Sequence, residues 1–170
     1  MSNTLWALAE HRHGLLFRHE AIPLLGERRL DRMLARGRLE AVGSGVYRVP
    51  GSPRTPEQSL LAAVGAAGLD CAVAAGRSAG WLWGLVDDPP PAPEVMVPNG
   101  RRRRLTGVRI VESLDCTPEW KIQRRGIPTL NPILTMVELA RVLDREAFAD
   151  SLERGLGLFS MSAMWSILDT

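Results

Sequence analysis

Nowhere in the 170 residues is there a run of about 18 apolar side chains, so no segment reads as a membrane span. The first residues, MSNTLWALAEHRHG, lack the basic-then-apolar order of a secretory signal, and a cytoplasmic protein is expected. Cysteine is scarce: Cys71 and Cys116 have no CxxC partner, which argues against a zinc site or a disulfide framework and for two reduced packing residues. The three histidines, His11, His13 and His19, are spaced so that they fall on different helix faces and do not form a ligand set. Walker A, GxGxxG and HExxH motifs are missing, as are repeats and low-complexity segments. The expectation is a protein with no cofactor, no metal and no catalytic residue.

What is present is a globular composition, 45% hydrophobic and 24% charged, which excludes a disordered chain. The net charge of +2 hides an uneven distribution. Up to Arg54 there are nine arginines against five acidic residues, whereas from Ser113 onward acid slightly exceeds base. Such asymmetry points to a nucleic-acid contact at one end of the molecule.

The basic end centres on LGERRLDRMLARGRLEAVGSGVYRV, residues 25–49. At about 100° per residue, Arg28, Arg29, Arg32 and Arg36 share one arc of a helix and Leu30, Met33 and Leu34 the opposite one. Gly37 is placed to end that helix. Residues 38–42 and 46–49 read as two short strands about the turn Gly43-Ser44-Gly45. Helix, stop and hairpin follow winged-helix order. Upstream, Asn3 or Thr4 caps a first helix with Leu5, Trp6, Leu8 and Ala9 inward, and Leu15-Leu16-Phe17 is an extended piece suited to pair with the wing. A second helix over 18–25, broken by Pro23, turns at Gly26 into the third. The first domain is thus 1–54.

The second domain, 55–170, opens with Thr55 as N-cap and Pro56 at the first helical position. A strand or buried stretch after Gly68 leads to a small-residue helix from Ser78 that ends at Gly84. Residues 94–98 and 108–111 read as strands joined by NGRRRRLTG as a hairpin, and 122–129 as a further strand with Gly126 at a turn or bulge. Amphipathic helices follow from Asn131 and Asp144, and a last one from Ser160 with Met164, Trp165 and Leu168. The fold class is α+β: a winged helix-turn-helix, then a small mixed α+β domain with a helical end.

Arg28, Arg29 and Arg32 are the candidates for base edges or nearby phosphates. Arg36, Arg38 and Arg48 are candidates for phosphates alone, with Glu27 and Asp31 orienting the arginines. Arg101, Arg102, Arg103 and Arg104 form a second cluster, read as a solvated loop or as a secondary phosphate or partner contact. The tryptophans, Trp6, Trp81, Trp83, Trp120 and Trp165, sit at apolar phases and read as core. Asp115 with Glu119-Trp120-Lys121 spells the acid and E-x-K order of metal-dependent nucleases, but Pro118 and a loop-like setting argue against that chemistry.

Several stretches together resemble the AbiEi-type antitoxin family of actinobacteria: GRL at 37–39, SGVYRVPG at 44–51, TPEQSLLAAV at 55–64, RSAGWLWGL at 77–85, EVMVPNGRRRRLTGVRI at 94–110 and RRGIPTLNPILTMVELA at 124–140. The resemblance covers nearly the whole chain. It implies a winged helix-turn-helix on operator DNA, an antitoxin domain behind it, repression of the protein's own operon and a nucleotidyltransferase-type toxin as partner. Longer relatives continue into a restriction-endonuclease-like domain about where this chain stops, which makes it a short member or a truncated one. Glu40 and Ala41 stand where relatives often carry basic residues, leaving Arg38 and Arg48 as the wing's contacts.

The sequence therefore predicts a non-catalytic transcriptional autorepressor whose third helix enters the major groove of double-stranded DNA. A single winged helix buries little surface, so two copies on an inverted repeat, as a homodimer on DNA, are expected. The alternatives are a protein-interaction module that binds a toxin and the non-catalytic front part of a restriction-endonuclease-like protein.

Overall fold

The computed structural model describes residues 2–101, 104–114 and 116–157. Three helices and three short strands come first: α1 (Ser2–Glu10), β1 (Leu15–Phe17), α2 (Arg18–Leu25), α3 (Glu27–Ala35), β2 (Glu40–Gly43) and β3 (Val46–Arg48). The strands form an antiparallel sheet in the order β1-β3-β2. Pro23 lies inside α2 without breaking it, contrary to the expectation. The wing turn is shorter than expected: Gly43 still belongs to β2, and only Gly45 takes a positive φ, 68°.

Because strand side chains alternate, β1 is buried on both sides and serves two cores. Leu16 and Tyr47 face α1 and α3, where Leu5, Ala9, Ala21, Leu30 and Leu39 close the helical core. Leu15, Phe17 and Val46 face the other way, onto α4 (Pro56–Gly68). Thr55 caps α4 as its sequence demands, its hydroxyl accepting from the Gln58 amide at 3.1 Å, with Pro56 in the first turn. Gly65 lets the helix approach so closely that a Cβ there would stand 2.1 Å from Cε1 of Phe17. Gln58, itself buried, ties the two parts with its side-chain amide, which donates to the His13 carbonyl at 2.7 Å and to the Ser52 hydroxyl at 3.1 Å. One continuous apolar core thus runs from the small sheet through α4 into the rest of the chain.

Beyond α4 come β4 (Val73–Ala74), α5 (Gly76–Trp83), β5 (Glu94–Pro98), β6 (Arg109–Ser113), a 3₁₀ turn (Pro118–Trp120), β7 (Lys121–Arg124), β8 (Ile127–Leu130), α6 (Pro132–Ala140) and α7 (Arg145–Leu156). The strands make a mixed sheet in the order β6-β5-β4-β8-β7. Ala74, Val95, Val97 and Ile127 point at α4, and Val73, Met96 and Leu130 point at Cys116, Trp120 and Leu134. Leu85, Met136, Leu139, Phe148 and Leu152 close the helical end.

Two strand pairings differ from the expectation. The segments at 94–98 and 109–113 are parallel, Glu94 opposite Arg109 and Pro98 opposite Ser113, so the arginine-rich connection is a crossover and not a hairpin. Leu105 and Val108 pack its returning half onto the α4 side of the sheet. The single strand expected over 122–129 is instead a tight hairpin, β7 to β8, with Arg125 at φ 50° and Gly126 at φ 74°, both in the left-handed region that a type I′ turn requires. Helix α5 starts two residues before Ser78, because the Glu94 carboxylate accepts the Arg77 amide at 2.8 Å and caps its first turn. The expected helix from Ser160, with Met164, Trp165 and Leu168, lies outside the described residues, as do the side chains of Asn3 and Thr4 and the whole of Asp115.

Candidate nucleic-acid interface

Helix α3 is built as its pattern requires. Leu30 is fully buried, Met33 and Leu34 are half-buried against the helical core, and Arg28, Arg29, Arg32 and Arg36 are exposed on the other side. Gly26, at φ 73°, makes the sharp joint with α2. The helix stops in a Schellman arrangement: the Gly37 amide donates to Leu34 O at 3.0 Å and the Arg38 amide to Met33 O at 2.8 Å, with Gly37 at φ 64°.

Among the described residues, Arg28, Arg29, Arg32, Arg36 and Arg38 have no carboxylate within ion-pair distance. Arg32 instead donates from Nε to the Arg28 carbonyl at 3.2 Å, one turn back. Elsewhere several arginines are matched, among them Arg12 with Glu20, Arg109 with Glu94, Arg125 with Glu57 and Arg154 with Asp87, while Arg54, Arg77, Arg101, Arg104, Arg124 and Arg145 have no carboxylate within ion-pair distance among the described residues. What sets α3 and its exit apart is density: five unpaired guanidinium groups fall within residues 28–38. Arg29, Arg32, Arg36 and Arg38, together with Leu5, Trp6, Leu25 and Met33, line a groove of about 230 Å³ between α1 and α3. Arg28 lies outside that groove.

Arg48 does not belong to this set. It stands directly opposite Glu40 in the β2–β3 ladder, donates to the Glu40 carboxylate through both Nε and a terminal nitrogen, and its side chain is only 12% exposed. A guanidinium so neutralised and covered is not available to a phosphate, and its role is to hold the strands together. The wing also lies down on the rest of the molecule. A Cβ on Gly43 would stand 3.1 Å from that of Ala66 in α4, and the Arg18 amide donates to Gly45 O at 2.8 Å. Its exposed side chains, Ala41, Val42 and Ser44, are uncharged. The phosphate contacts expected of the wing reduce to Arg38 at its root.

Arg18 was not singled out from the sequence, yet it connects the parts. Its guanidinium donates to the Tyr47 hydroxyl at 3.3 Å and to the Glu27 carboxylate at 2.9 Å, joining the wing to the first turn of α3. The Tyr47 hydroxyl, and after it Glu27, hold its pKa above the usual arginine value. Glu27 thus orients Arg18 and not the α3 arginines, and Asp31 pairs with none of them among the described residues. No periodicity marks Arg18, since its partners come from two other elements.

Of the second cluster, Arg101 and Arg104 are exposed on the crossover, and Arg102 and Arg103 lie outside the described residues. Lys121, the lysine of the E-x-K order, donates its ammonium to Cys71 O at 2.8 Å and Asp70 O at 3.5 Å, a structural tie between sheet and loop. The two cysteines, distant in sequence, meet there as free thiols, with Cys116 Sγ 3.5 Å from Cys71 O. Burial pushes both thiol pKa values up. His13 contacts Arg125 O at 2.8 Å, and among the described residues no three histidine, cysteine or carboxylate side chains gather as a metal site. No helix among the described residues is long and apolar enough to cross a membrane.

No protein-family model and no curated protein matches the chain. Solved structures do resemble it, among them the RV2827C protein of Mycobacterium tuberculosis, 21% identical with a TM-score of 0.53. The similarity covers 82% of this chain and 59% of the mycobacterial one, so the chain spans less than two thirds of that protein's length. At this identity the likeness is one of fold: N-terminal helices with a small antiparallel sheet, then a mixed five-stranded sheet and helices.

Proposed function

We propose that this chain binds double-stranded DNA through α3 and acts as a transcriptional repressor of its own operon, in the manner of the AbiEi-type antitoxins that its sequence resembles. The observation that carries the reading is the density of unneutralised arginines, five within residues 28–38 on the third helix of a helix-turn-helix and on its exit, whereas the other described arginines without a carboxylate partner are spread along the rest of the chain. A helix whose apolar side is fixed in a core and whose cations face outward is suited to the major groove. Arg28, Arg29 and Arg32 then meet base edges or flanking phosphates, and Arg36 and Arg38 meet phosphates. The Arg18 link to Glu27 and Tyr47 keeps helix and wing at a fixed angle. No catalytic step belongs to this reading. Two copies on an inverted repeat supply the contact area that one winged helix lacks, and the second half of the chain is the part that would meet a nucleotidyltransferase-type toxin.

An electrophoretic shift on the protein's own upstream DNA tests it. A retarded complex that Arg28→Ala with Arg32→Ala abolishes is the expected result. No shift, or one that the double variant leaves intact, would instead favour a protein-interaction module.

A further inference from the structure

The groove between α1 and α3 has a shape that contact with a duplex leaves partly unused. Its floor is apolar, formed by buried Leu5 with Trp6, Leu25 and Met33, and its rim carries Arg29, Arg32, Arg36 and Arg38 with no lining carboxylate. Four guanidinium groups around one small cavity repel one another unless they share an anion. Planar guanidinium groups take phosphoryl oxygens two at a time, which favours phosphate over a spherical ion. A duplex presents its phosphates on a convex surface and keeps its base rings stacked, with only thymine methyls and sugar edges to offer the floor. The volume, about 230 Å³, lies below the roughly 300–1,000 Å³ of sites for drug-sized ligands, so an occupant has to be small.

We propose that this groove binds a small phosphate monoester with an aromatic or apolar body, its phosphoryl end held by the arginine rim and its body on the Leu5, Trp6 and Met33 floor. Binding itself is independent of DNA. Its consequence, competition with the duplex for Arg29, Arg32 and Arg36, rests on the reading given under the proposed function and makes the ligand a derepressing effector.

The probe is phenyl phosphate, titrated calorimetrically into the whole chain at fixed ionic strength beside inorganic phosphate and phenol. One-to-one saturation by phenyl phosphate is expected, about tenfold tighter than inorganic phosphate because the ring is buried, with no saturable heat from phenol. Arg29→Ser with Arg36→Ser weakens it by about tenfold or more, the loss of charged hydrogen bonds, whereas Arg145→Ser on the exposed side of α7 leaves it unchanged. Melting curves by circular dichroism confirm that the variants are folded. Absence of saturation, equal affinity for inorganic phosphate, or a double variant that binds as well as the parent overturns the proposal. In a second arm, phenyl phosphate is added to the protein with a fluorescent duplex. Binding of phenyl phosphate by a protein that ignores the duplex supports the groove and removes the DNA reading, and duplex binding without phenyl phosphate binding does the reverse.

Discussion

Replacing Gly65 by alanine pits local helix preference against packing, and the structure decides which wins. In the interior of an exposed helix the change stabilises by about 0.8–1.0 kcal/mol, because glycine has more backbone entropy to lose. Here the new methyl would stand 2.1 Å from Cε1, 2.8 Å from Cδ1 and 3.2 Å from Cζ of Phe17. That ring is 1% exposed and held among Leu61, Val64 and Val46, so it cannot swing away without displacing the shared core. Overpacking of this kind costs about 1–3 kcal/mol and sometimes more. Since separations near 2 Å force backbone movement, the upper part of that range applies, and Gly65→Ala is expected to destabilise by about 2 kcal/mol net. For a chain of this size that is a fall in Tm of roughly 4–8 °C. Thermal unfolding followed by circular dichroism measures it. Phe17→Leu, which shortens the ring side, should recover part of the loss in the double variant, giving a favourable coupling in a mutant cycle. A Gly65→Ala protein as stable as the parent, or more so, would refute the claim that β1 and α4 are in rigid contact.

Arg48→Ala should lower Tm through loss of the Glu40 pairing while leaving duplex affinity almost unchanged, and Arg38→Ala should do the opposite; fluorescence anisotropy and melts on the same samples separate the two. Gly37→Ala places a side chain at φ 64° in open space, so strain alone acts, and a loss of about 1 kcal/mol in denaturant titration is expected. Arg154 holds the Asp87 carboxyl below the usual carboxylate range, so the folded form loses its proton at lower pH than the unfolded one. The stabilisation is therefore complete above the unfolded value near 4 and is lost as pH falls through the lower folded value. The Tm gap between parent and Asp87→Asn should be constant from neutral pH to about 5 and close below about 4; a gap that widens on acidification would contradict this sign. Glu94→Ala removes the carboxylate that caps α5 and pairs with Arg109, and should cost about 2 kcal/mol in chemical unfolding.

Local signals in the sequence carried far. Gly37 and Gly26 announced the ends and joint of the recognition-type helix, Thr55-Pro56 and Asn131-Pro132 announced helix starts, and the 3.6-residue period placed Leu30 inside and the arginines outside. Partnership between distant segments was harder to read. Alternation shows that 94–98 is a strand but not which strand lies beside it, or in which direction, and a connection of ten residues is long enough to cross back as well as to turn. At the β7–β8 connection Gly126 was legible as a turn or bulge, but the two-residue hairpin was not, because Arg125, not a glycine or asparagine, occupies the other left-handed position. Within the candidate interface, composition made Arg48 look equivalent to Arg38. Only the register that sets Glu40 opposite Arg48 distinguishes a strand tie from a free cation. Arg18 escaped notice for the same reason, its value lying in the two elements that it joins.

The dependence of duplex binding on salt tests the central claim most directly, because it counts the cations that meet phosphates. With up to five unneutralised arginines per chain on α3 and its exit, the logarithm of the binding constant should fall against the logarithm of salt concentration with a slope of about −4 per protomer, near −0.9 for each phosphate engaged. Upstream DNA of its own gene should be preferred over a scrambled duplex under the same salt. A slope near zero, or no binding to either duplex at low salt, would contradict the account.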